Sequence, residues 1–217
     1  MRIICLAASA TIASAAAFTT TAVAAGTAAG ERPRTSAMAN NPFAAPSTLP
    51  FELPPFDRIH DADYRPAFEA GMAEQLREIA AIAHNKAPPT FENTIVALER
   101  AGRLLARVDT TFSNLNGCNT DPDMQQIDTE MAPRLTAQRD AIRLDAALWS
   151  RVDALYRARE SLTLDAESQQ LLQRYHTSFV RAGARLAPAQ QARLKELNKQ
   201  ISSLTTRFKQ NSNRLTF

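Results

Sequence analysis

Covalent chemistry has little to work with in this chain of 217 residues. It holds two cysteines, Cys5 and Cys118. The neighbours of Cys118, Asn116, Gly117 and Asn119, offer no base, so neither a disulfide framework nor an activated thiol is expected. Aromatic residues are 6% of the chain and the formal charge is only +3, spread along its length. A charge that small excludes the basic footprint of a nucleic-acid-binding protein. Six glycines and the lack of β-rich runs bounded by turn signals exclude a sheet, and no repeat of 20–50 residues is visible.

The signatures of known chemistries are missing as well. There is no GxSxG, P-loop, GxGxxG or HExxH. A zinc hydrolase of the HExxH type needs two histidines one helical turn apart, so that both reach one metal. The three histidines, His60, His84 and His176, are far apart in sequence and stand beside no second ligand at metal spacing. Each is read as a structural or surface residue. The carboxylates Glu69, Glu74, Glu78, Glu92 and Glu99 fall on the polar faces of amphipathic segments, where solvated charge is the default. Arg100, Arg103 and Arg107 form a basic run on an outward face. That run could receive a peptide C-terminus, but reads better as solvated surface. No catalytic, cofactor-binding or metal-binding residue is therefore expected.

Apolar periodicity is plentiful. Residues 1–25 have the form of an export signal: Arg2, an alanine-rich apolar stretch, and small residues at 22–25 suited to cleavage. The stretch is too short and too interrupted for a lasting membrane span, and periplasmic export is expected. Cleavage would take away Cys5 and Arg2, lowering the charge from +3 to +2. Residues 26–40 lack periodicity and read as a disordered linker. The prolines at 42, 46, 50, 54 and 55 make 41–60 an extended, polyproline-like arm.

From 61 the apolar residues recur every three or four positions. A helix over 62–84, capped by Asp61 or Asp63 and opened by Pro66, carries the stripe Tyr64, Phe68, Met72, Leu76, Ile79 and Ile82. A second, capped by Thr90, runs continuously over 91–116, with Gly102 on its apolar face as a close helix–helix contact. Asp121 and Pro122 open a third, which Pro133 should kink or break near Glu130. Asp145 and Asp165 open two more. Pro188 opens the last, whose Leu194, Leu197, Ile201, Leu204 and Phe208 form a narrow seam expected to pair with the helix before it. The fold class is all-α: an antiparallel array of about six helices over 61–217, preceded by an extended Pro-rich arm.

Several stretches carry a resemblance. Leu49-Pro50-Phe51-Glu52-Leu53-Pro54-Pro55-Phe56 before an acid-capped helix resembles the N-terminal entry of the M3 family of zinc oligopeptidases, in its peptidyl-dipeptidase and oligopeptidase A branch. Pro89-Thr90-Phe91-Glu92-Asn93-Thr94, 131–135, 147–152 and 193–211 are similar to segments of the same family, so the likeness covers about 40–211. It implies a helical wall of a channel that admits short peptides. It also implies zinc, and a C-terminal catalytic domain carrying HExxH, neither of which has a counterpart among these residues. Residues 211–217 stop mid-helix without a capping glycine, which reads as an interrupted frame or a partial sequence. Two functions follow: the N-terminal portion of an exported zinc peptidase, inactive alone, or a stand-alone helical module that binds peptide or protein. The resemblance favours the first.

Overall fold

The computed structural model describes residues 38–215, with side chains through 212. The export signal and most of the 26–40 linker lie outside the described residues. Among those described there is no strand. Seven helices follow the arm: α1 (Asp61–Ala83), α2 (Ala97–Arg100, entered through wide π turns over Phe91–Val96), α3 (Arg103–Cys118), α4 (Pro122–Arg143), α5 (Ala146–Arg157), α6 (Ala166–Arg181) and α7 (Pro188–Leu215).

The starts of α4, α5 and α6, and of the turns leading into α2, are fixed by local chemistry. Thr90 Oγ1 accepts from Asn93 N at 3.1 Å, and Asp121, Asp145 and Asp165 accept from the amide three residues on at 2.7–2.8 Å. Each bond satisfies an amide the helix cannot use. For α1 the cap is His60, whose N–H donates to Asp63 Oδ2 at 2.8 Å. Pro66 lies in the second turn of α1, not at its opening.

Two apolar clusters sit one above the other along α1. Tyr64, Phe68 and Met72 pack with Val108 and Phe112 of α3 and Ile127 of α4. Ile79 and Ile82 pack with Ile95, Leu148, Val152 and Phe179. Leu76, expected in this stripe, is 41% exposed; the line between the clusters runs through Gly71 and Gln75 instead. In the lower cluster Phe112 meets Tyr64 and Phe68 edge-on, with centroids 5.1 and 5.4 Å apart. The buried Tyr64 hydroxyl has no hydrogen-bond partner among the described residues, and burial together with Asp61 and Asp63 raises its pKa to about 12.

Cross-helix contacts give the directions. Tyr64 meets Phe112 and Glu78 meets Gly102, so α1 and α3 are antiparallel. Asp140 meets Asn198 and Gln125 meets Gln210, so α4 and α7 are antiparallel too. Arg65 bonds Glu130 at 2.7 and 3.1 Å and Arg134 bonds Glu69 at 3.0 Å, which sets α1 and α4 parallel.

Four further expectations change. The 91–116 helix is interrupted: Ala101 is extended and Gly102 has φ +77°, a left-handed geometry that suits glycine. Gly102 N–H donates to Glu78 Oε2 at 2.7 Å, so the break is tied to α1. Conversely α4 passes Pro133 unbroken, held to α1 on either side by the ion pairs of Glu130 and Arg134. The arm is not extended throughout, since Pro50–Glu52 is a tight 3₁₀ turn with Phe51 and Glu52 at positive φ. Finally α7 lies on α4 rather than on α6, and its contact face is polar.

Candidate functional site

The arm is pinned at one end. Phe43 is buried against Tyr64, with centroids 5.4 Å apart. Asn41 Nδ2 donates to Asp63 O at 2.9 Å, and Arg107 Nη2 donates to Phe43 O at 3.2 Å. Between arm and α3 is a groove of about 570 Å3 floored by Thr110 and Thr111, with Arg103 on its wall. The basic run does not act as a unit here. Arg107 holds the arm and Arg100 pairs with Glu92 at 3.1 Å, leaving Arg103 at the groove.

A second cleft, of about 470 Å3, opens between α1, α3, α4 and α6. Its floor is apolar, from Ile79, Leu105, Met131 and Phe179, and Asp109, Asp128, Arg139 and Tyr175 supply polar groups. Partial loss of water raises the pKa of Asp109, opposed by Arg139 and reinforced by Asp128. Burial and a hydrogen bond to Glu99 raise that of Tyr175.

The third locus joins α5, α6 and the turn after α6. The His176 ring is buried and stacks on Tyr156, with centroids 3.7 Å apart and planes 8° from parallel. Its Nε2 lies 3.3 Å from Asp153 Oδ1 and 3.4 Å from Arg185 Nη2. Arg157 Nη2 reaches Asp153 Oδ2 at 2.6 Å. Arg159 and Arg185 lie over Tyr156 and Trp149 at 4.6 and 5.7 Å. Burial lowers the pKa of His176, with Asp153 opposing and Arg185 assisting.

These residues do not suit zinc. A zinc site needs three or four N, S or carboxylate donors. Only His176 and Asp153 converge here, and the remaining charged neighbours are guanidinium cations. Among the described residues no group of three or more His, Cys, Asp or Glu could hold a metal. His60 and His84 are exposed at opposite ends of α1, and Cys118 is exposed in the last turn of α3. No helix among the described residues is long and apolar enough to cross a membrane.

Sequence reasoning missed one polar hub. Asn93 Oδ1 accepts from Thr90 N at 2.9 Å, Thr94 Oγ1 at 2.9 Å and Arg151 Nη2 at 2.7 Å, while its Nδ2 donates to Pro88 O at 2.9 Å. Arg151, 7% exposed, also donates to Asn85 O and Ala87 O at 2.9 and 3.1 Å. The signal was available in Arg151, a charge placed among apolar positions of α5. Glu78 likewise is no idle solvated charge, since it caps Gly102.

The fold and these loci define a class: an all-α packing module whose polar groups mainly tie helix to helix. Comparison with known proteins sharpens this. No family model matches the chain. It is 45% identical over 170 residues to the dipeptidyl carboxypeptidase of Escherichia coli, covering 78% of this chain and 25% of that protein. It is 43% identical over 173 residues to the Salmonella typhimurium dipeptidyl carboxypeptidase, covering 80% and 25%. Against Escherichia coli oligopeptidase A the identity is 23% over 166 residues, covering 76% and 24%. The chain is homologous to the N-terminal part of M3-family peptidases, and spans about a quarter of the length of the curated relatives it matches.

Proposed function

We propose that this chain forms the N-terminal helical wall of an exported, zinc-dependent M3 peptidyl-dipeptidase that acts on short peptides. In this reading hydrolysis needs the region matching the remaining three quarters of the relatives, and the chain alone is inactive. The observation that carries it is the 45% identity to a dipeptidyl carboxypeptidase across most of the helical body, at a quarter of that protein's length. The polar chemistry supports a wall rather than a reaction centre, because Arg151, Asn93, Glu78 and Glu130 are committed to joining elements. Among the described residues no donor set for zinc is found, and no step of the reading passes through them. Export rests on the pattern of residues 1–25, and intact mass of the secreted product would place the cleavage.

A chimera tests the reading. The first quarter of the Escherichia coli dipeptidyl carboxypeptidase is replaced by this chain, and release of C-terminal dipeptides from a blocked peptide is measured. The chimera is expected to hydrolyse and to lose activity with a chelator, while the chain alone does neither. A folded but inert chimera, or chelator-sensitive hydrolysis by the chain alone, would overturn it.

A further inference from the structure

The last helix is turned inside out relative to its neighbours. Asn198, Ser202, Thr206 and Gln210, one turn apart, occupy the side of α7 that meets α4. Asn198 Nδ2 bonds both oxygens of Asp140 at 2.9 and 3.1 Å, and Gln210 Nε2 bonds Gln125 O at 2.8 Å. Thr206 is buried. The seam of Leu197, Ile201, Leu204 and Phe208 faces away, 37%, 59%, 62% and 74% exposed. Four large apolar side chains stepping by four, three and four make a stripe of the kind a partner helix covers.

Charge says what kind of partner. At 100° per residue the carboxylate Glu196, bonded by Gln200 Nε2 at 2.8 Å, and two cations, Arg193 and Arg207, border the seam on one side, and a third cation, Lys209, lies towards the other. None of the three cations has an ion-pair partner among the described residues. A second copy would bring like charges towards the same rims; a helix rimmed by carboxylates would bring opposite ones.

We propose that the α7 seam docks an amphipathic helix with an apolar stripe between Asp/Glu rims, supplied by the region that matches the rest of the M3 relatives. The inference rests on the proposed function for the source of that helix, and on this chain alone for its chemistry. The four seam residues span about 16 Å along α7 at 1.5 Å per residue, so one partner helix can cover them all.

The test uses the full chain and two synthetic helices with leucine at the inward heptad positions, one rimmed with glutamate and one with lysine. Fluorescence anisotropy at low salt should show the glutamate helix binding about tenfold more tightly. Phe208→Glu should abolish that binding, and the pair Arg193→Glu with Arg207→Glu should reverse the preference. All these sites are exposed, and circular dichroism checks that the fold is kept. Equal binding of both helices, or self-association lost in Phe208→Glu, overturns the proposal. In the chimera Phe208→Glu should lower the melting temperature, while in the chain alone it should not; no shift in the chimera removes the proposed source. Binding of the glutamate helix beside an inert chimera leaves the seam standing and the functional reading fallen. An active chimera with no peptide preference does the reverse.

Discussion

Replacing Gly71 with alanine sets two effects of known size against each other. Gly71 lies in the interior of α1, where alanine is favoured over glycine by about 1 kcal/mol from backbone entropy. By propensity alone the variant gains stability. The packing points the other way: a Cβ at this position would stand 2.9 Å from both Cα and N of Leu105 and 3.1 Å from its Cβ. Ordinary carbon contacts lie near 3.5–4.0 Å, so α3 would have to retreat by about 0.5–1 Å. That neighbour is backbone, which cannot swing aside as a side-chain tip can. Overpacking of this kind costs about 1–3 kcal/mol, and a backbone obstacle belongs at the upper end. The net expectation is a loss of about 1–2 kcal/mol, or a fall in melting temperature of roughly 2–8 °C for a chain of this size. Gly117→Ala is the matched control. It sits in the last turn of α3 with nothing within 4 Å of its Cβ, and should gain about 0.5–1 kcal/mol. Urea unfolding followed by far-ultraviolet circular dichroism reads both. If Gly71→Ala is as stable as the parent while Gly117→Ala behaves as expected, the close approach of α1 and α3 is refuted.

Gly102→Ala should cost about 2–3 kcal/mol in the same assay, from the left-handed φ and from displacing the Gln75 amide, which accepts from Gln138 Nε2 at 3.1 Å. Arg151→Met should lose about 2 kcal/mol, since three acceptors lose a charged donor, and Arg151→Lys should not restore it because one ammonium cannot span all three. His176 gives a pH test. Its folded pKa lies below the ordinary 6.5, so its contribution is complete above that value and is lost as pH falls through it towards the folded pKa. Denaturation between neutral and mildly acidic pH should show this slope, flattened in His176→Gln; Asp153, Arg157, Arg159 and Arg185 stay in place around the site. A parent chain that gains stability on acidification across this window contradicts the assignment.

What could be read in the sequence was what is decided within a few residues. Thr90, Asp121, Asp145 and Asp165 all cap where expected, because a cap needs only a short polar side chain and an amide three residues on. The stripe of α1 was legible for the same reason, apart from Leu76, which the period places inward and the geometry leaves out. Gly102 and Gly71 show where this stops. A glycine on an apolar face can mean a close approach or a turn, and only the partner tells which. The structure puts a backbone-to-backbone approach at Gly71, and at Gly102 both a left-handed turn and a close approach to Gln75 of α1. Pro133 was expected to kink or break α4 because it removes one amide, and the break does not occur. The freed carbonyl belongs to Thr129 on an exposed turn, and ion pairs to α1 brace the helix on both sides, so one lost bond is outweighed.

The polar ties between helices were illegible for a further reason: many of them join residues about 60 positions apart. Arg151 meets Asn93 and Ala87, and Gln138 meets Met72, only because α1, α4 and α5 are set side by side. Helix α7 is the sharpest instance. A 3-4 period says that four side chains share a face, but not whether that face points to the nearest helix. Here the nearest helix is satisfied by the opposite, hydrogen-bonding face through Asn198, Thr206 and Gln210. An apolar face left uncovered while a polar one is buried is unfavourable for a helix on its own, since the choice surrenders apolar burial worth about 25 cal/mol per Å2. The arrangement becomes favourable if α7 lies between two partners, one joined by hydrogen bonds and one by apolar contact. The homology to proteins four times as long supplies room for the second, and the seam is where that relation can be tested with single substitutions.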